Sequence, residues 1–282
     1  MAAISDLRSR TFLVTGANSG IGRAMVDALA SRGGRVVLAA RSRERTMPVL
    51  EAIRQRYPDA DLSFLEIDVS DFGSVRRAAD RFLSEHAALD VLVNNAGVAG
   101  TSGLSKDGFD LTYATNHLGP FLLTNLLLPR LRASPSARIV NVSSVAQMNI
   151  KSIDWSGLER RSLPKRSGFR DYSMTKLMNM LHCRELARRL EGTSVVACAV
   201  HPGVVASQIW RAVPRPLGWL IKLFMLSNEQ GAETPLFCAT SEEPAIVSGG
   251  YYHRCREVSA NPLADDPANA LELWRRSEAA VK

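Results

Sequence analysis

Three side chains of this sequence have the types needed to pass a proton to a carbonyl oxygen and steady the charge left behind: Tyr172, Lys176 and Ser144. Tyr172 and Lys176 stand four residues apart where a helix is predicted to begin. That spacing puts the phenol and the ammonium on one face, a turn apart. A free phenol titrates near pH ~10, too high for proton transfer at neutral pH. A neighbouring ammonium, or any other positive charge held beside the ring, favours the phenolate and brings that value down. Ser143 and Ser144 close a predicted strand and present two hydroxyls together. Tyr-x-x-x-Lys alone is common on amphipathic helices, so the pair needs a site to serve.

Such a site is announced near the start of the chain. Thr15-Gly16-Ala17-Asn18-Ser19-Gly20-Ile21-Gly22 directly follows the apolar run Thr11-Phe12-Leu13-Val14. A buried strand that ends in closely spaced glycines and enters a helix lets the backbone approach a pyrophosphate, and the helix N-terminus faces its charge. The plain alternative is a small-residue turn kept for packing. The second predicted strand ends in Arg41-Ser42-Arg43, two guanidinium groups where a carboxylate would accept from ribose hydroxyls. They read either as a 2′-phosphate site, hence NADP(H), or as solvated arginines opening the next helix. Asp68 reads equally as an acceptor for an adenine amino group and as a turn or capping residue. Asn94-Asn95-Ala96-Gly97 ends a fourth strand, with small residues that permit close approach and asparagines that can tie strand ends together.

The elements that must hold these groups alternate regularly. Short apolar runs at 11–15, 35–40, 62–67, 91–94, 138–142 and 195–200 read as buried strands. Helix-period segments lie between them at 21–32, 44–57, 75–86, 119–131 and 174–190. This alternation predicts an α/β fold: one doubly wound parallel sheet with helices on both faces and ligands beyond the carboxyl ends of the strands.

Composition supports one large globular domain of 282 residues, 46% hydrophobic and 22% charged, without repeat or linker. Its net charge of +7 is scattered and forms no basic stripe, so a nucleic-acid partner is not expected; an anionic cofactor or membrane surface suffices. Four separated cysteines show no metal spacing and suit a reducing compartment. No run reaches the ~18–20 apolar residues that span a bilayer. No charged-then-apolar leader precedes the first strand, and the expected location is the cytoplasm.

Taken together these residues resemble the short-chain dehydrogenases/reductases over nearly the whole chain, from Thr11 to about Tyr252. Thr15-Gly16-x-x-x-Gly20-x-Gly22, Asn94-Asn95-Ala96-Gly97, Asn116, Ser144, Tyr172-x-x-x-Lys176 and Pro202-Gly203 occur in the family's order. Asn116-His117-Leu118-Gly119-Pro120-Phe121 and Val200-His201-Pro202-Gly203-Val204-Val205 are most similar to the retinol-dehydrogenase-like branch. The resemblance implies a Rossmann-type domain with Tyr172 as general acid or base and Lys176 holding the nicotinamide ribose. Ser144 would support the substrate oxygen, Ser143 would be structural, and Asn116 would orient a water in a proton relay. Gly16, Asn18, Ser19, Gly20, Ile21, Gly22, Arg41, Arg43, Asp68, Val69, Asn95, Ala96 and Gly97 would line the cofactor. Pro202, Gly203, Val205 and Ser207 would anchor the carboxamide. The implied substrate is an apolar carbonyl compound or alcohol, retinal-like or another aldehyde or ketone, and a homodimer or homotetramer is left open. Membrane-bound members carry an apolar anchor before the first strand that this sequence does not show.

The domain reading divides into a lead-in (1–10), a substrate-binding lid segment (203–228) and a C-terminal extension (253–282). Trp210, Trp219 and Phe224 make the lid segment lipophilic; it reads as a lid, a shallow peripheral membrane contact, or a packing surface. The basic segment 147–170 is expected to shape substrate access. His117 and His201 read as packed or positioning residues. The reading from another class is a catalytically silent dinucleotide-binding or sensor protein, which would have no use for a serine–tyrosine pair.

Overall fold

The structure, a computed structural model, describes residues 6–155, 168–205, 226–241 and 246–282. In the first strand, β1 (Thr11–Thr15), Phe12 and Val14 pack into one core and Leu13 into another. The split recurs in β2 (Arg35–Ala40), where Val36 and Leu38 oppose Val37 and Ala39. A strand buried on both faces must be apolar at almost every position, which is why these segments read as continuous runs. β3 (Leu62–Glu66), β4 (Val91–Asn94), β5 (Ala137–Val142) and β6 (Val195–His201) complete the six expected strands. Two short strands that the sequence did not announce, β7 (Tyr251–His253) and β8 (Arg256–Glu257), extend the sheet. The order is β3-β2-β1-β4-β5-β6-β7-β8, parallel up to β7, with β8 antiparallel.

Helices α1 (Gly20–Ala30) and α2 (Arg43–Arg56) cover one face, with α3 (Phe72–Glu85) on the other. A short α4 (Leu111–Tyr113) passes through a π-helical turn, Ala114–Leu118, into α5 (Gly119–Arg132), which joins the α3 side. So does α6 (Gly168–Arg189), which begins well before the expected residue 174. α7 (Asn228–Thr240) completes the first face, and α8 (Pro267–Ala280) packs on α6 with Leu273 and Trp274 buried. The chain leaves β1 for β2 and β3, then returns to pair with β1 from its other edge as β4. The crevice at the carboxyl ends of β1 and β4 is the switch point at which doubly wound sheets bind ligands.

Candidate active site

The glycine turn is held open by contacts that leave no room for a side chain. A Cβ on Gly22 would lie 2.4 Å from the Gly16 carbonyl oxygen and 2.6 Å from Asn95 Nδ2. Gly16 itself has φ +66°, a conformation that disfavours any other residue. Thr15 Oγ1 donates to the Val93 carbonyl and accepts from the N–H groups of Asn95 (3.0 Å) and Ala96 (3.0 Å). Asn95 Nδ2 donates to the Thr15 carbonyl at 2.8 Å, so the ends of β1 and β4 are bolted together. α2, α3, α7 and α8 each have a side-chain cap at the N-terminus, whereas Ser19 makes no side-chain bond to α1. The first turn of α1 carries no acidic residue of its own. This cradle, uncapped and glycine-lined, fits the pyrophosphate of a dinucleotide.

On the other side of the crevice, β5 and α6 bring Ser144, Tyr172 and Lys176 together. Lys176 is 3% exposed; its Nζ donates to the Val142 carbonyl at 2.8 Å and lies 5.4 Å from the centre of the Tyr172 ring. Asn179 Nδ2 donates to the same carbonyl, and Ser143 Oγ donates to the Lys176 carbonyl at 2.7 Å. Ser144 and Tyr172 keep partial exposure, while Ser143, Asn116 and Thr175 behind them are buried. Asn116, in the π turn, accepts at Oδ1 from Val98 N–H and donates from Nδ2 to the Val98 carbonyl and to Thr175 Oγ1. Thr175 Oγ1 in turn donates to the Tyr172 carbonyl. Both Asn116 amide protons are thereby committed, which leaves only acceptor capacity at Oδ1 for the expected water.

Electrostatics differ from the simplest expectation. Burial raises the Tyr172 phenol above its usual range, and a hydrogen bond with Ser144 opposes that rise. Burial lowers Lys176 to about 8. The protein alone therefore does not favour the Tyr172 phenolate: its desolvation outweighs the Ser144 hydrogen bond.

A family model described as short chain dehydrogenase matches residues 10–156. The chain is 42% identical to dehydrogenase/reductase SDR family member 13 of Bos taurus, covering 97% of this chain and 74% of that protein. The chain belongs to the short-chain dehydrogenases. It is also 41% identical to retinol dehydrogenase 12 of Mus musculus, over 96% of this chain and 86% of that one. Among solved structures it resembles an uncharacterised protein from Mycobacterium paratuberculosis, with TM-score 0.78, 32% identity and coverage of 99% and 96%. A 3-oxoacyl (acyl-carrier-protein) reductase from Agrobacterium tumefaciens, solved with NADP bound, shares the fold at TM-score 0.68 and 24% identity, covering 83% of this chain and 89% of that chain.

As a short-chain dehydrogenase the protein is an oxidoreductase that binds a nicotinamide dinucleotide. Among the described residues, its remaining expected site positions follow the carboxyl ends of β1, β2, β3, β4 and β6. Arg41 is exposed, and Arg43 opens α2 with its guanidinium 5.7 Å from the Phe64 ring centre. Asp68 Oδ1 accepts from Ser70 N–H and Oγ, as a turn residue does. Val69 is buried with its carbonyl against Gly119, and Gly97 lies beside Asn116 and Lys176. After β6, Gly203 (φ +89°) turns the chain, and Val205 bridges Leu226. Asn18, Gly20 and Ile21 complete the glycine turn, with a Cβ on Gly20 falling 3.7 Å from Asn228 Oδ1. Pro202 follows His201, which stacks on His253 at 4.7 Å. Ser207, Trp210, Trp219 and Phe224 lie outside the described residues, as does most of 147–170 beyond Trp155. Thr15, Thr175 and Asn179 were not singled out from the sequence. Their signal is a lone hydroxyl or amide within one to three residues of Gly16 or Lys176.

Proposed function

We propose that this short-chain dehydrogenase transfers hydride between NADP(H) and an apolar carbonyl compound or alcohol, with reduction as the working direction. The observation that carries the reading is the pairing of Ser144 with Tyr172. These two hydroxyls bond to each other and stay accessible, while the groups that fix them are buried. The dinucleotide supplies the hydride. Gly16, Gly20, Gly22 and the α1 N-terminus would hold its pyrophosphate, Arg41 and Arg43 a 2′-phosphate, and Lys176 the nicotinamide ribose. Tyr172 then donates a proton to the substrate oxygen, and Ser144 hydrogen-bonds that oxygen as its charge develops. Asn116 holds the loop after β4 against α6, so that Tyr172 keeps its aim.

An apolar substrate is favoured by the exposed side chains that border this pair. Phe169 is 61% exposed with its ring centre 6.5 Å from that of Tyr172, and Val145, next to Ser144 in the chain, is 50% exposed. The names of relatives called retinol dehydrogenase favour a retinal-like compound within that class. The reading includes a cytoplasmic enzyme, for which the free thiols Cys183, Cys198, Cys238 and Cys255 speak. No helix among the described residues is long and apolar enough to cross a membrane.

The test is steady-state kinetics of the purified chain with NADPH and NADH over a panel including retinal and medium-chain aldehydes. Turnover that prefers NADPH and rises with apolar chain length is expected. Tight cofactor binding with no turnover on any carbonyl or alcohol would replace this reading with a dinucleotide sensor.

A further inference from the structure

The C-terminal segment reaches the active-site elements from behind at two buried points. On α8, Ser277 Oγ lies 2.7 Å from His117 Nε2, and both side chains are 1% exposed. Ser277 Oγ also donates to the Leu273 carbonyl at 2.8 Å, and a hydroxyl has a single proton to give. It therefore accepts from His117 Nε2–H, which fixes the tautomer of the imidazole. His117 is the neighbour of Asn116 in the π turn. Ahead of α8, buried Asn261 donates from Nδ2 to the carbonyls of Gln147 (2.7 Å) and Ile150 (2.9 Å). Gln147 lies in the short 3₁₀ turn Val145–Asn149 that Ser144 caps, and Ile150 directly follows it.

We infer that the C-terminal segment is a positioning element for proton transfer: the Ser277–His117 bond sets the turn that carries Asn116, and Asn261 sets the turn that starts at Ser144. The inference rests on the hydride-transfer reading above. A π turn holds one residue more than an α turn and is an irregularity in its helix, so its path depends on what packs beside it. Here the turn is flanked by α6, through Thr175 and His182, and by α8, through Ser277. The His117 ring stands edge-on to His182 at 5.9 Å, and Trp274 of α8 packs on Phe121 at 4.9 Å and under the Arg189 guanidinium at 4.0 Å. Asn116 meanwhile makes three hydrogen bonds to Val98 and Thr175, so a small rotation of the turn breaks at least one. Such a shift disturbs the aim of Tyr172 and Ser144 without touching the glycine turn at the end of β1.

Ser277→Ala in the full chain is expected to lower kcat by roughly tenfold or more, the scale of a small misplacement, with KM and the NADPH Kd within about twofold. Ser277→Thr, which keeps a hydroxyl, should recover most of that loss. The side-chain amide resonances of Asn116 should shift and exchange faster with solvent in the alanine variant. Asn261→Ala, read by the same kcat-against-KM split, tests the second contact and serves if Ser277→Ala does not fold. An unchanged kcat per folded molecule, equal losses in kcat and NADPH affinity, or undisturbed Asn116 resonances would overturn the inference. If the wild-type chain reduces no carbonyl, the hydride reading fails, and the Asn116 resonances still decide whether the segment positions the turn.

Discussion

The ammonium of Lys176 is bonded to the carbonyl of Val142, the last residue of β5, at 2.8 Å, while its own helix carries Tyr172 four residues earlier. One buried cation thus fixes the serine strand to the tyrosine helix. Lys176→Met should lower kcat/KM by at least the ~10² typical of a lost proton-transfer group and also weaken cofactor binding. Lys176→Arg should not restore activity, because a planar fork cannot replace a compact ammonium packed beside Gly97. Recovery by arginine would show that charge alone matters there.

Tyr172 is the second test. Burial raises its phenol in the cofactor-free protein, so tyrosinate absorbance assigned by difference against Tyr172→Phe should appear above pH ~10. Oxidised cofactor adds positive charge beside the ring and should move that titration downward. Reduction uses the protonated phenol and should hold at neutral pH, falling as pH rises through the cofactor-bound value. Oxidation needs the phenolate and should show the opposite slope. A phenol that titrates below its ordinary value without cofactor would contradict the desolvation argument.

The fold and the reacting residues were legible because their signals are local. β1, β2, β4, β5 and β6 are buried on both faces, so their composition alone marks them, and Tyr172 and Lys176 need only helical spacing. The elements missed have weaker local signatures. α7 packs Gly231 so closely that a Cβ there would fall 2.5 Å from Val205 Cγ2, a small-residue face that carries no apolar period, and Pro235 inside it reads as a breaker. β7 and β8 are too short for an alternation to show. The π turn at Asn116 and its tie to Ser277, 160 residues away, follow from packing that no spacing encodes. For Asp68 the sequence left two readings, and the Ser70 contacts, made through Oδ1 alone, are compatible with both.

Gly119 follows the π turn because nothing larger fits. A Cβ there would fall 1.7 Å from the Val69 carbonyl oxygen, a rigid backbone atom. Gly119→Ala must push the Asp68–Val69 loop away from α5 and is expected to destabilise by about 3 kcal/mol or more, beyond ordinary overpacking. Thermal melts should show it, and NADPH affinity should fall with the displaced loop. A melting point within error of wild type would mean that the loop gives way freely.

Arg41 and Arg43 separate cofactor choice from helix chemistry. Ser42 already caps α2 by accepting from Arg45 N–H, so the helix does not depend on either arginine. Replacing both by alanine should lower the NADPH/NADH ratio of kcat/KM by roughly ten- to a hundredfold, as expected for lost charge-assisted bonds to a phosphate ester. Stability should change little. An equal loss with both cofactors would assign the arginines to the fold.

Acid stability reports on the histidines beneath α8. Burial holds His117 well below its ordinary value and lowers His182 to about 3. The folded protein keeps both rings neutral, whereas the unfolded chain takes up protons as pH drops below ~6.5. The unfolded state then binds more protons, so this stability is complete above that pH and declines as pH falls toward the folded values. The decline amounts to about 1.4 kcal/mol per histidine per pH unit. His201, lowered to about 4, adds to the same trend, and the carboxylates held low, Asp71 and Glu185, contribute only in more acid solution. Urea midpoints between about pH 7 and about pH 5 should therefore fall in the wild type and fall distinctly less in His117→Gln/His182→Gln. Parallel pH profiles for the two proteins would show that these imidazoles are protonated in the folded state, and that the packing under Trp274 admits the charge.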